Sequence, residues 1–231
     1  MRTIKSINRD WLYKPHFSQE ADLNRPAGTE GYQTLCLPHT NIELPYNYFD
    51  DKAFCFVSCY KRRLSLEPQW QGQRLFLHFE GVMNFARVFI NGIPAGEHKG
   101  GYTAFSVEIT DLVRFDSENE VTVAVDSTER PDTPPFGGSI DYLTYGGIYR
   151  EVWLEETGEI YLQNAHAKAV KAENGWQVEA DVYVDNRSGA SGAAELRFSL
   201  SSPQGEVKQH TQNITLSGEK NQKITVSFAA G

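Results

Sequence analysis

The side chains best suited to hold a small polar ligand fall in two aromatic-rich segments. One is Arg130-Pro-Asp-Thr-Pro-Pro-Phe-Gly-Gly-Ser-Ile-Asp-Tyr-Leu-Thr-Tyr145, too long and too aromatic for a mere connector. The other is Asn41-Ile-Glu-Leu-Pro-Tyr-Asn-Tyr-Phe-Asp-Asp51, where Tyr46, Tyr48 and Phe49 could stack on a ligand face. A carboxylate in such a loop accepts two directional hydrogen bonds from neighbouring hydroxyls. The plainer alternatives are an Asx-type turn for the acid and packing on their own domain for the aromatics. Metal and redox chemistry find less support. Cys36, Cys55 and Cys59 are an odd number without a nearby Cys/His pattern, which argues against a disulfide framework. Residues 54–60 read as a strand, and four residues at about 3.3 Å each place Cys55 and Cys59 roughly 13 Å apart, beyond disulfide reach. Three buried, reduced thiols are the expectation, with no cofactor and no metal site.

The elements that must position these loops are strands. Leu75, Leu77 and Phe79 alternate with Arg74, Phe76, His78 and Glu80, the period-two pattern of a half-buried strand. Residues 86–90 form a β-rich run followed by Asn91-Gly92, the strongest short hairpin signal. Further runs at 105–109, 121–125 and 151–154 are short and punctuated by Gly, Pro and Asn, which predicts an all-β sandwich or barrel. Beyond about residue 158 the strands become regular and the loops short, at 176–184, 194–200, 206–210, 213–216 and 223–228. That texture resembles an immunoglobulin-like sandwich, which takes about 100 residues and seven strands. The 74 residues from 158 to the end leave room for five or six. The second domain therefore reads as unfinished, with an open edge prone to dimerisation or aggregation.

The 231 residues carry a net charge of −8. They contain no run of five or more Lys/Arg, so the phosphate-neutralising surface that nucleic-acid binding requires is missing. No stretch reaches the roughly 18 apolar residues of a membrane span, and the first ten residues lack a signal-peptide core. Cytoplasm is the expected location. Sequons at Asn186-Arg-Ser188 and Asn213-Ile-Thr215 would matter only after secretion by a eukaryote.

Seven motifs occur in order: Leu35-Cys-Leu-Pro-His-Thr40, Tyr60-Lys-Arg-Arg-Leu64, Leu75-Phe-Leu-His-Phe-Glu-Gly-Val82, Val88-Phe-Ile-Asn-Gly92, Gly100-Gly-Tyr-Thr-Ala-Phe105, Asn119 before a strand ending in Asp126, and Gly146-Gly-Ile-Tyr-Arg-Glu-Val152. Together they resemble the sugar-binding domain of family 2 glycoside hydrolases, the β-galactosidase and β-glucuronidase kind, over residues 7–157. The resemblance implies a galactose-binding-like jelly-roll β-sandwich over 1–157. A partial immunoglobulin-like β-sandwich would follow over 158–231, and then a TIM barrel that this chain does not contain. It implies retaining hydrolysis of a β-linked glycoside by two barrel glutamates about 5–5.5 Å apart. With no βα repeat to supply them, the catalytic residues expected in this chain are none, and the chain alone should be inactive.

The resemblance also implies site residues. In that family an aspartate five residues before the glycine pair enters the barrel pocket and binds a sugar hydroxyl, and Asp141 holds that position. Relatives use an asparagine from the loop corresponding to 41–51, which Asn47 would match. Tyr142, Tyr46 and Tyr48 are the candidates for stacking or loop contacts. Asn119-Glu120 superficially matches the family's acid/base pair but reads as a loop-edge pair ahead of a strand. Arg150 reads as pairing within the sandwich or at the barrel interface, His39 as hydrogen-bonding locally, and Trp11 and Trp153 as core or interface anchors. The leading reading is a non-catalytic N-terminal fragment that buttresses the barrel and lends it a loop. Its alternatives are an autonomous carbohydrate-binding module and an architectural or partner-binding double sandwich, and homo-oligomerisation is compatible with each. The preferred sugar is not legible here, because fold does not fix specificity.

Overall fold

The structure is a computed structural model that describes residues 2–24, 31–47, 50, 52–134, 142–173 and 175–230. Its regular secondary structure is nearly all β-strand, and the chain divides into two compact units, residues 2–156 and 157–231.

The first unit is a jelly-roll sandwich. One face is a six-stranded antiparallel sheet in the order β3(Gln33–Leu35), β2(Trp11–Lys14), β4(Val57–Leu64), β9(Asn119–Asp126), β6(Phe85–Ile90), β7(Ile93–Lys99). The other is four-stranded, in the order β1(Thr3–Ser6), β10(Val152–Thr157), β5(Arg74–Phe79), β8(Phe105–Glu108). Inward side chains of both sheets form one core that includes Trp11, Tyr60, Leu75, Leu77, Phe79, Val88, Ile90, Val123 and Leu154. Each large side chain taken out of water contributes about 1.5–3 kcal/mol. The Trp11 indole is fully buried and donates to the Ile7 carbonyl at 2.7 Å. Asn91 and Gly92 close the β6–β7 hairpin with φ of 53° and 79°, the positive values that a tight primed turn needs.

The outer face of the six-stranded sheet is covered rather than wet. Helix α1(Gln19–Leu23) begins at Ser18, whose hydroxyl accepts from Ala21 N–H. It brings Asp22 onto Lys14 Nζ at 2.5 Å, Ser18 N–H at 2.7 Å and Tyr32 Oη at 2.7 Å. Nearby, the buried Lys61 pairs with Glu120 at 2.8 Å. These ionic groups lie in a dry region, where a charge persists only if partnered. On the opposite sheet Leu75, Leu77 and Phe79 point inward as the alternation predicts, but Arg74 and Phe76 are buried too. Arg74 forms a two-pronged pair with Glu108, and its guanidinium sits 5.1 Å from the Phe76 ring centre.

The structure corrects several local expectations. The strand expected over 54–60 is β4, which starts at Val57 and leaves Cys55 in the preceding turn. All three thiols are free, yet only Cys59 is buried; Cys55 is half-buried and Cys36 exposed. Asn119 and Glu120 do not precede a strand but open β9.

The second unit has five strands among its described residues. They are β11(Ile160–Ala172), β12(Gly175–Asn186) and β15(Asn221–Ala229) in one sheet, and β13(Ser191–Ser201) with β14(Val207–Ser217) in another. The separate runs at 206–210 and 213–216 prove to be one continuous strand, β14. β11 was not legible as a strand. Its burial pattern is almost wholly exposed, and its alternation rests on small alanines, Ala165, Ala167 and Ala169, rather than on large apolar side chains. The core of this unit is small, centred on Val182, Val184, Leu196, Leu216 and Val226.

Candidate functional site

Four chain segments meet at one end of the first sandwich, and glycine permits the meeting. Gly147 exchanges backbone hydrogen bonds with Met83 at 2.9 and 3.1 Å. Its φ is +108°, and a Cβ on it would fall 2.5 Å from the Tyr60 hydroxyl and 2.8 Å from the His39 carbonyl. On Gly146 a Cβ would fall 2.3 Å from Asn41 Nδ2 and 2.4 Å from Ser127 Oγ. Both positions therefore exclude any side chain, which is the physical content of the Gly-Gly motif.

Asn41 is the staple of this end. Its N–H donates to the Gly146 carbonyl at 2.9 Å. Its Nδ2 donates to the Phe54 carbonyl at 2.8 Å and to Ser127 Oγ at 3.3 Å. Its carbonyl accepts from the Tyr13 hydroxyl, and Ser127 Oγ in turn donates to Met83 O at 2.9 Å. One buried asparagine thus ties both ends of the 41–54 segment to Ser127 and Gly146, which flank the 130–145 segment. Beneath it His39 Nδ1 lies 2.9 Å from the Tyr60 hydroxyl. Burial pushes the His39 pKa below its ordinary value and the Tyr60 phenol above its own, so this layer is a neutral hydrogen-bonded floor. Burial likewise pushes Tyr13 up to about 12.

The start of the 130–145 loop is pinned by charge. Arg130 pairs with Asp126 and Asp132 at 3.2 Å each, and Lys99 pairs with Asp132 at 2.6 Å. Hydrogen bonds from Lys99 and then Arg130 hold the Asp132 carboxyl well below the usual range. Both cations also lie over the Phe85 ring, at 5.7 and 5.1 Å. At the other end of the loop Tyr145 faces Phe54, with ring centres 6.5 Å apart.

Of the residues singled out in the sequence, Tyr46 and Asn47 project from the 41–54 loop, Tyr46 at 97% exposure. Tyr142 is 52% exposed and its hydroxyl accepts from Tyr102 at 3.4 Å. Asp141 and Tyr48 lie outside the described residues. Sequence reasoning missed Tyr102, itself 46% exposed. The signal was available, since it follows Gly100-Gly101, where Gly100 has φ +125° and a Cβ on Gly101 would meet Met83 Sδ at 2.3 Å. His39 makes the local bond expected of it. Arg150 keeps its guanidinium 5.5 Å from the Tyr149 ring centre, while Trp153 stacks on His78 at 5.2 Å.

Asn119 has a structural occupation. Its Oδ1 accepts from Arg114 N–H at 2.8 Å and Asn91 Nδ2 at 2.9 Å, and its Nδ2 donates to Arg114 O at 2.8 Å. Among the described residues no group of three or more His, Cys, Asp or Glu side chains could hold a metal ion. No described helix is long and apolar enough to cross a membrane.

Residues 28–158 match the family "Glycosyl hydrolases family 2, sugar binding domain". The chain is 40% identical over 208 residues to a β-galactosidase of Thermoanaerobacterium thermosulfurigenes, covering 89% of this chain and 29% of that protein. It is 37% identical over 227 residues to a β-glucuronidase of Bacteroides fragilis, covering 91% and 30%. Among solved structures, a Bacteroides uniformis β-glucuronidase superposes with a TM-score of 0.87 at 25% identity, over 99% of this chain and 28% of that one. The chain thus spans less than a third of the length of these relatives.

Proposed function

The chain belongs to glycosyl hydrolase family 2, whose sugar-binding domain covers residues 28–158, and on that premise we propose that it is the N-terminal, non-catalytic portion of a retaining β-glycosidase. The observation that carries this reading is that Asn41 and Phe54, at the two ends of one candidate loop, meet Ser127 and Gly146, which flank the other, at one end of the sandwich. A loop fixed at both roots can present side chains to a pocket in a neighbouring domain at little entropic cost. In this reading Asp141 accepts hydrogen bonds from adjacent sugar hydroxyls, and Asn47 and the loop tyrosines Tyr46, Tyr48 and Tyr142 complete the rim. Such contacts orient the glycoside for attack and do not perform the attack. The two carboxylates of retaining chemistry would come from a barrel, not from this chain.

The test is hydrolysis of nitrophenyl β-galactoside and β-glucuronide by the purified 231 residues. No turnover is expected, and turnover by clean protein would overturn the assignment of a non-catalytic role. A second reading, an autonomous carbohydrate-binding module, draws on the exposed Tyr102–Tyr142 pair. It requires saturable oligosaccharide binding by the isolated chain that Tyr142→Ala weakens.

A further inference from the structure

Three aromatic rings from three chain segments meet beneath the Asn41 staple. Tyr13 comes from β2, Tyr60 from β4, and His39 from the segment that follows β3. The His39 ring centre lies 4.7 Å from that of Tyr13 and 5.7 Å from that of Tyr60, and the two tyrosine rings are 5.0 Å apart. Tyr60 is fully buried and His39 half-buried. Every group in this layer belongs to the first unit. The same strip of chain carries the backbone contacts that close this end of the sandwich. His39 N–H donates to the Ile148 carbonyl and Asn41 N–H to the Gly146 carbonyl, each at 2.9 Å, and the Asn41 carbonyl accepts from Tyr13. The imidazole is therefore two residues from the staple, on the strip that holds residues 146–148.

The protonation of this ring decides how firmly the strip is held. Ile148 N–H is directed at the Tyr60 oxygen, so the phenol's own hydrogen goes to His39 Nδ1 at 2.9 Å. That bond requires a neutral imidazole with its proton on Nε2. In the imidazolium both ring nitrogens are donors. Two N–H groups then converge on one oxygen, and the phenol hydrogen loses its acceptor. The new charge also has little company. The titratable groups facing the ring are the phenols of Tyr13 and Tyr60 and, on its own segment, the carboxylate of Glu43. Residues 146–148, Gly-Gly-Ile, present none. Burial outweighs Glu43 and holds the His39 pKa below its ordinary value, because a charge taken out of water without a close partner is costly.

We propose that His39 is an acid-sensitive latch: protonating its imidazole releases residues 39–41 from Tyr60 and residues 146–148, and with them the Asn41 staple that roots the 41–54 segment. Acid acts in this direction because the closed form binds the proton less readily than the open one, in which the ring reaches water and its pKa is about 6.5. Closure is complete above about pH 6.5 and weakens as pH falls below it towards the closed-form pKa. One linked proton raises the opening constant by at most about ten-fold per pH unit. The latch is independent of the glycosidase reading.

The experiment is amide hydrogen exchange of the 231-residue chain from about pH 8 down to about pH 5, corrected for the intrinsic pH dependence of exchange. Asp22, whose pKa is lowered, stays ionised throughout that range. Protection of the His39 and Asn41 amides should fall below about pH 6.5, while that of the β4–β9 ladder holds. His39→Asn places an acceptor that does not titrate where Nδ1 stood, and should abolish the fall. Glu43→Gln removes the one facing carboxylate and should extend the fall to lower pH. The imidazole titration of the parent, followed by its ring-proton resonances, needs no variant and should have its midpoint below about 6.5. Four outcomes overturn the latch: protection at His39 and Asn41 that does not change with pH, an equal fall in His39→Asn, a fall of the β4–β9 ladder in step with Asn41, or an imidazole midpoint at or above about 6.5.

Discussion

Gly146 and Asn41 occupy each other's space: the Gly146 carbonyl accepts the Asn41 N–H at 2.9 Å, and a Cβ on Gly146 would fall 2.3 Å from Asn41 Nδ2. Gly146→Ala must therefore displace the staple that ties the two loops. The expected destabilisation is that of overpacking, about 1–3 kcal/mol. In a unit of this size that lowers the midpoint by roughly 2–12 °C, measurable by thermal denaturation. Exchange should accelerate first at residues 42–54, where the Phe54 carbonyl loses its donor.

Asn119 closes three hydrogen bonds around Arg114 and Asn91 and is 1% exposed. Asn119→Ala removes the partner of the part-buried Arg114 N–H and carbonyl and of the Asn91 amide, so a loss of about 1–3 kcal/mol in all is expected in urea unfolding. Glu120→Gln, which keeps the shape but removes the charge facing Lys61, should cost stability too. In a chain extended through the barrel, neither change should abolish hydrolysis. Abolition with the fold intact would restore the pair to the reaction.

Asp22 carries a pH signature. Burial alone would raise its pKa, but hydrogen bonds from Lys14, Ser18 N–H and Tyr32 together with the Lys14 charge outweigh it, and the net direction is downward. A carboxyl with a depressed folded-state pKa contributes stability that is complete above its unfolded value of about 3.9. That contribution is lost as pH falls through the folded value. The melting difference between the parent and Asp22→Asn should be largest near neutrality and shrink below about pH 3.9. A gap that stays constant into acid would remove Asp22 as the source.

Asp141 separates folding from function. If Asp141 serves substrate rather than folding, Asp141→Asn in the 231-residue chain should leave the melting midpoint within about 2 °C of the parent. In a polypeptide that includes the barrel, losing a charged hydrogen bond to substrate of about 1.5–3 kcal/mol should lower kcat/KM by roughly 10–150-fold. An unchanged kcat/KM would remove Asp141 from the pocket.

What the sequence determined by itself was local. Period-two alternation at Leu75, Leu77 and Phe79, the Asn91-Gly92 turn and the two glycine pairs are short-range signals. Each follows from pleat geometry or from the φ values a turn demands, and together they establish the all-β class, while the family rests on the likeness of seven motifs and the match over residues 28–158. Tertiary structure decided the rest, because the partners are far apart in the chain. Asn41 meets Ser127 and Gly146 across the sandwich. Arg74 and Phe76, outward by alternation, are buried because Glu108 and the Arg74 guanidinium cover that face. Tyr102 reaches Tyr142 across 40 residues. β11 shows the converse: its side chains are nearly all exposed, and only the ladder to β12 makes it a strand. Backbone pairing leaves no trace in side-chain hydropathy, so a strand held by its neighbours alone is readable only in three dimensions.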